Sequence, residues 1–180
     1  MTIDIEKIDY DIIKLTKEHE LSNFHCGLKD MDDFLKDDAL NQQEDNINTT
    51  YLLIYENKII GFFSLLADSI NIKDIPEEYE YSYKSFPAIK IGRLAIHEDY
   101  QKKGIGTKIL DNICFEIKNM SLKIGVKFIT VDAYCKVRKF YYNNAFQHIK
   151  IERPEKLKRT AERNQKTTIT LYKDLKRIWK

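Results

Sequence analysis

The chain has 180 residues, 43% hydrophobic and 32% charged, enough for one domain, residues 1–180, with a full core. No apolar run approaches the ~20 residues a membrane helix needs, and the acidic residues 1–10 lack a signal-peptide core, so a membrane partner is excluded and the expected location is cytoplasmic. The net charge of +2 hides an asymmetry: residues 1–100 carry 10 Lys or Arg and 21 Asp or Glu, residues 101–180 carry 20 and 7. Arg153, Lys156, Lys158, Arg159, Arg163 and Lys166 form the densest basic stretch. Such a run is either a solvated face or a seat for a polyanion, a cofactor or a nucleic acid. Cys26, Cys114 and Cys135 are odd in number and lack metal-ligand spacing, so free buried thiols in a reducing compartment are expected, with no metal.

In chain order, residues 8–15 read as a strand. Residues 28–43 place Leu28, Met31, Phe34, Leu35 and Leu40 close to a helical period. Residues 50–55 and 58–66 are β-rich runs joined by Glu56-Asn57, a tight hairpin signal. Residues 71–85 carry Pro, acidic residues and Tyr, and are expected to be a loop or a short irregular helix. Residues 89–96 form a strand. Residues 107–122 form a helix with Ile109, Leu110, Ile113, Phe115, Ile117 and Met120 as its apolar set. A strand over 128–133, a helix over 137–144 and strands over 146–151 and 167–172 complete the pattern. An antiparallel hairpin followed by alternating strands and helices predicts an α/β or α+β domain with parallel βαβ units in its second half.

The most informative stretch is Gln101-Lys102-Lys103-Gly104-Ile105-Gly106, between the strand over 89–96 and the helix that begins near Thr107. Strand, Gly-bearing loop and helix build a phosphate cradle. Loop amides point inward, and the helix N-terminus adds roughly half a positive charge. Gly104 and Gly106 are expected to supply positive φ and close backbone approach. Lys102 and Lys103 add cationic steering. The loop is neither a Walker A motif nor a dinucleotide fingerprint. On its pattern alone it is equally an ordinary turn.

Four pieces in order resemble the GNAT acetyltransferase superfamily over residues 8–171. They are Ile91-Gly92-Arg93-Leu94-Ala95-Ile96, Gln101-x-x-Gly104-x-Gly106, Phe140-Tyr141 followed by Ala145-Phe146, and Ile59-Ile60-Gly61-Phe62. Two departures stand out. Ala145 replaces the usual Gly, and Tyr134 stands where many members have an Asn that touches the cofactor. The resemblance implies a mixed, mostly antiparallel sheet of six or seven strands flanked by helices. It also implies an acyltransferase that uses acetyl-CoA (coenzyme A) as co-substrate.

By that resemblance, the backbone of Leu94, Ala95 and Ile96 pairs with the pantetheine arm, and an amide near Leu94 stabilises the oxyanion. The diphosphate sits on the run from Gln101 through Lys102, Lys103, Gly104, Ile105 and Gly106 to Thr107. The amine attacks the thioester directly in a ternary complex. Tyr141 is the candidate general acid, since a phenol of pKa about 10 stays protonated at neutral pH and can serve a thiolate of pKa about 8.5. No general base stands out among His97, Glu98 and Asp99. An α-amine of pKa about 7.7–8.0 needs none, which favours such an acceptor over a Lys amine. Arg93 is either a surface cation paired with a carboxylate or an active-site cation for an anionic acceptor.

Phe24-His25-Cys26-Gly27, the helix that follows it and Gly92-Arg93-Leu94-Ala95 resemble the toxin-type branch that acetylates aminoacyl-tRNA. The basic half suits a tRNA. The amine acceptor is left open between a small molecule or peptide and aminoacyl-tRNA. An antitoxin protein and a second copy of the chain are the further partners. A catalytically silent acyl-CoA-binding module and a pure nucleic-acid-binding protein are the readings from other classes.

Overall fold

The computed structural model describes residues 9–77, 79–151 and 154–177, with Arg177 described by its backbone only. Ile8, the acidic residues before it and Arg153 lie outside the described residues. The strands are β1 (Asp11–Lys14), β2 (Thr49–Tyr55), β3 (Lys58–Asn71), β4 (Ser85–Ile96), β5 (Phe128–Tyr134), β6 (Gln147–His148) and β7 (Thr168–Asp174). The helices are α1 (Lys29–Asp33), α2 (Ala39–Glu44), α3 (Ile105–Met120), α4 (Arg138–Asn143) and α5 (Pro154–Arg163). The strands form one mostly antiparallel sheet in the order β1-β2-β3-β4-β5-β7-β6. Two compact units can be distinguished along the chain, Met1–Leu66 with Ile91–Asp111 and Ala67–Lys90 with Asn112–Lys180.

In the first unit, β2 pairs antiparallel with β1 and β3. Glu56 and Asn57 both have positive φ, 47° and 59°, the geometry that lets a two-residue turn match the strand twist. The helix predicted over 28–43 is broken by a π-helical turn at Phe34–Asp38. Phe34 and Ala39 are both buried. Residues five apart stand about 140° apart on an α-helix. The wider turn brings these two onto one side, where they join Leu15, Phe24, Leu52 and Phe62 in the core.

In the second unit, β7 pairs antiparallel with β5 over their whole length, and β6 pairs with β7. The second βαβ unit expected from the alternation is therefore split: β5 and β6, joined through α4, run parallel with β7 inserted between them. β7 takes the place beside β5, and the two-residue β6 is left at the edge. Phe86, Phe128, Tyr172, Ile70 and Ile75 form the core here. Among its described residues, the expected loop after β3 holds a single 3₁₀ turn, Ile72–Asp74. Helix α5 was not predicted. It begins with Pro154 at a position where the missing N–H costs nothing, and it buries no residue, so its sequence carries no apolar period to read. All three cysteines are free and buried.

Candidate active site

The end of β4 is set by close packing. A Cβ on Gly61 would lie 2.7 Å from Leu53 Cδ1 and 2.9 Å from the Ala95 carbonyl oxygen, so only Gly lets β3 approach β4 at Ala95. The His97 amide donates to the Ile60 carbonyl at 2.9 Å, extending that pairing past Ile96. Ala95 is buried in the core, with Leu94 and Ile96 half-buried on either side.

A 3₁₀ turn, Glu98–Tyr100, then leads into the loop. The Gln101 side-chain NH₂ donates to Cys26 O at 2.7 Å and to Ile96 O at 2.9 Å. One amide group thus clamps the end of β4, the loop and the Phe24–Gly27 segment together. The Gln101 backbone N–H donates to Glu98 O at 3.3 Å, so this residue's donors are spent within the protein. Positive φ falls at Lys102 (58°) and Gly104 (76°). Gly106, expected to share that role, lies instead in the first turn of α3, where helical φ is negative. Gly104 O accepts the amides of Thr107 and Lys108 and closes that turn. The Lys103 ammonium donates to Asp99 O and lies 5.6 Å from the centre of the Tyr100 ring. What remains at the mouth is the backbone from Lys102 to Gly106 and the positive end of a 16-residue helix, which suits a diphosphate.

The neighbours of this loop have structural roles of their own. Asp32 accepts the Cys26 amide at 2.9 Å, and Gly27 has φ +80°. Burial, aided by Asp32, pushes the Cys26 thiol up to about 12, which removes it as a nucleophile. His97 lies edge-on to Phe24 and Tyr100, and its Nδ1 accepts the Asp99 amide. Arg93 is exposed. Its Nη1 donates to Gly92 O at 2.8 Å, and its Cζ lies 4.8 Å from the Phe34 ring centre. Among the described residues no carboxylate pairs with it.

In the second unit, Tyr141 is 6% exposed on α4. Its ring meets Phe140 and Phe146 edge-on at 5.0 and 5.5 Å. Burial raises its pKa above the ordinary phenol value, so it is a neutral hydroxyl at any physiological pH. Among the described residues no hydrogen-bond partner takes that hydroxyl, which leaves its proton to donate to a ligand.

One polar network escaped the sequence reading. Lys90 lies between Asp68 (3.4 Å) and Asp132 (3.1 Å). Thr130 Oγ1 donates to Asp68 and Thr170 Oγ1 to Asp132. Burial opposes the Lys90 charge, but the Asp132 hydrogen bond and both carboxylates outweigh it and raise its pKa. The available signal was a charged residue of opposite sign inside two predicted strands, Lys90 and Asp132, whereas Asp68 lies beyond the run read over 58–66.

The sequence profile of the acetyltransferase (GNAT) domain matches residues 46–148. A tRNA-acetylating toxin of Mycobacterium tuberculosis is 23% identical over 136 residues, 74% of this chain and 82% of that protein. The solved structure of AtaT complexed with acetyl-methionyl-tRNAfMet superposes with a TM-score of 0.80 at 23% identity, covering 94% of this chain and 97% of that one. The AtaTR complex bound with AcCoA gives 0.76 at 23% identity, covering 94% and 96%. The chain belongs to the GNAT acetyltransferase family: it is an N-acetyltransferase. Its co-substrate is acetyl-CoA. Among the described residues no group of His, Cys, Asp or Glu is placed to hold a metal ion, and no helix is long and apolar enough to cross a membrane.

Proposed function

We propose that the chain acetylates the α-amino group of aminoacyl-tRNA and is the toxin of a toxin–antitoxin pair, acting in the cytoplasm as one domain over residues 1–180. The observation that carries this reading is the match to a tRNA-acetylating toxin along most of both chains. Three further features support it. The C-terminal half is strongly basic. The Phe24–Gly27 segment holds the loop through Gln101. Among the described residues of the first unit no carboxylate or histidine stands out as a base, which an α-amine of pKa about 7.7–8.0 does not need. An antitoxin protein and a second copy of the chain are the proposed protein partners.

In this reading the backbone of Leu94, Ala95 and Ile96 aligns the pantetheine arm, and an amide near Leu94 stabilises the oxyanion. The amides of Lys102, Lys103, Gly104, Ile105 and Gly106 hold the diphosphate, Thr107 contributes its hydroxyl, and Gln101 acts through its clamp. Tyr141 donates its phenolic proton to the departing thiolate as the neutral amine attacks the thioester carbonyl directly, and the proton lost from the acylated nitrogen returns through solvent to restore the phenol. Induced expression in bacteria is expected to arrest growth, and Tyr141→Phe to relieve the arrest at equal protein level. Undiminished growth with the wild-type protein would remove the toxin reading and leave the acetyltransferase family standing.

A further inference from the structure

Helix α5 is anomalous. None of its ten residues is fully buried, and Lys156, Lys158, Arg159 and Arg163 outnumber Glu155 and Glu162. An isolated helix this short is marginal in water, and one that is polar nearly all round gains little from packing. Only Leu157 and Ala161, four residues apart, are half-buried. They form one wall of a cleft of about 510 Å³ whose other wall includes Cys135, Arg138 and Tyr142. Lys136, Arg138 and Lys158 line it, against the single acidic side chain of Glu162 among the described lining residues. Arg138 is fixed at the rim by its Nη1 bond to Cys135 O at 2.6 Å. Tyr142 is 37% exposed, and the His148 ring meets it edge-on at 6.4 Å. A half-exposed aromatic ring, held by a neighbour and flanked by cations, is the combination that binds unpaired nucleotides: bases stack on the ring and phosphates meet the cations.

We propose that the cleft between α5 and α4 seats an unpaired RNA strand, with a base stacked on Tyr142 and phosphates on Lys136, Arg138 and Lys158. This rests on the reading of the acceptor as an RNA, and it names the surface that grips the RNA apart from the reacting amine. A polyanion here also offsets the mutual repulsion of the α5 cations.

Fluorescence anisotropy with uncharged RNA hairpins, one blunt and one with a short 3′ overhang, tests it on the full-length protein. The overhang is expected to bind more tightly. Tyr142→Ala is expected to weaken overhang binding about tenfold without changing its salt dependence, and Tyr142→Phe to retain it. Lys136→Ala with Lys158→Ala is expected to flatten the slope of log K against log salt by about 0.7 for each lost contact. The melting shift produced by acetyl-CoA is expected to be unchanged in every variant. Equal binding of the two hairpins, or binding indifferent to these variants, would overturn the proposal. So would loss of the acetyl-CoA shift in the lysine variants, which would give the cleft to the co-substrate. The two readings fail separately: overhang binding through Tyr142 without acetylation of any aminoacyl-tRNA sinks only the acceptor assignment, and aminoacyl-tRNA acetylation untouched by Tyr142→Ala sinks only the cleft.

Discussion

Gln101 illustrates how one side chain can order a loop. Its NH₂ bridges two carbonyls that come from segments far apart in sequence, Cys26 and Ile96. Gln101→Ala is expected to cost about 1–3 kcal/mol of stability, because both carbonyls lose their donor, and to weaken acetyl-CoA binding. Gln101→Glu is expected to be worse, since a carboxylate facing two carbonyls repels them. Melting temperature and a calorimetric Kd for acetyl-CoA check both, and an intact Kd with a lowered melting temperature would confine Gln101 to stability. The motif made Gln101 legible as important, but its partner Cys26 was not, because contacts across 75 residues leave no local pattern. Tyr141 was legible for the same local reason. Its burial raises further the pKa of a phenol that already stays protonated at neutral pH. The raised pKa also has a sign for stability. The neutral form favours folding, so the contribution is whole below the ordinary phenol pKa of about 10 and declines as the pH rises above it.

Among the elements, the end of α4 gives a test of strain. The amides of Ala145 and Phe146 donate to Tyr142 O and Tyr141 O, a helix stop that needs a left-handed residue after the cap. Ala145 fills it at φ 62°. The family's usual Gly takes that conformation freely, whereas a side chain pays roughly 1–2 kcal/mol. Ala145→Gly is therefore expected to stabilise the protein by about 1 kcal/mol, a rise of about 2–4 °C in Tm for a chain of this size. A fall in Tm would show that the methyl group packs better than the strain costs. The strands carry a second test. Lys90 ties β3 to β5 through Asp68 and Asp132, and Lys90→Met leaves two carboxylates without their cation, an expected loss of about 1–2 kcal/mol at neutral pH after allowance for partial exposure. Because the Lys90 pKa is raised from 10.5, its contribution is fully present below that pH and fades above it. The gap between the wild-type and Lys90→Met melting curves is expected to narrow as the pH rises past that value. A constant gap would assign the loss to packing instead.

At the scale of the whole molecule, the local pattern located the seven strands described and, as three predicted helices, four of the five helices described, with α1 and α2 read as one. It failed where burial is not the cause. Helix α5 is polar and was read as a charge run. The place of β7 beside β5 follows from long-range pairing that no local pattern encodes. The π turn at Phe34–Asp38 broke a helix whose apolar spacing already departed from strict period. The place of the loop between β4 and α3 was legible, but its conformational detail was not: Lys102 and not Gly106 takes positive φ. The charge asymmetry between the chain's two parts was visible in the sequence and gained meaning only with the family in hand.

Mass spectrometry of the aminoacyl fraction, after purified protein meets acetyl-CoA and charged tRNA, reads the proposed chemistry directly. The expected result is one acetyl group on the α-amine of the esterified amino acid, with the rate reduced about 10²–10⁴-fold by Tyr141→Phe at unchanged acetyl-CoA affinity. Aminoacyl-tRNA recovered without an acetyl group, while the same protein acetylates a free small amine or peptide, would contradict it.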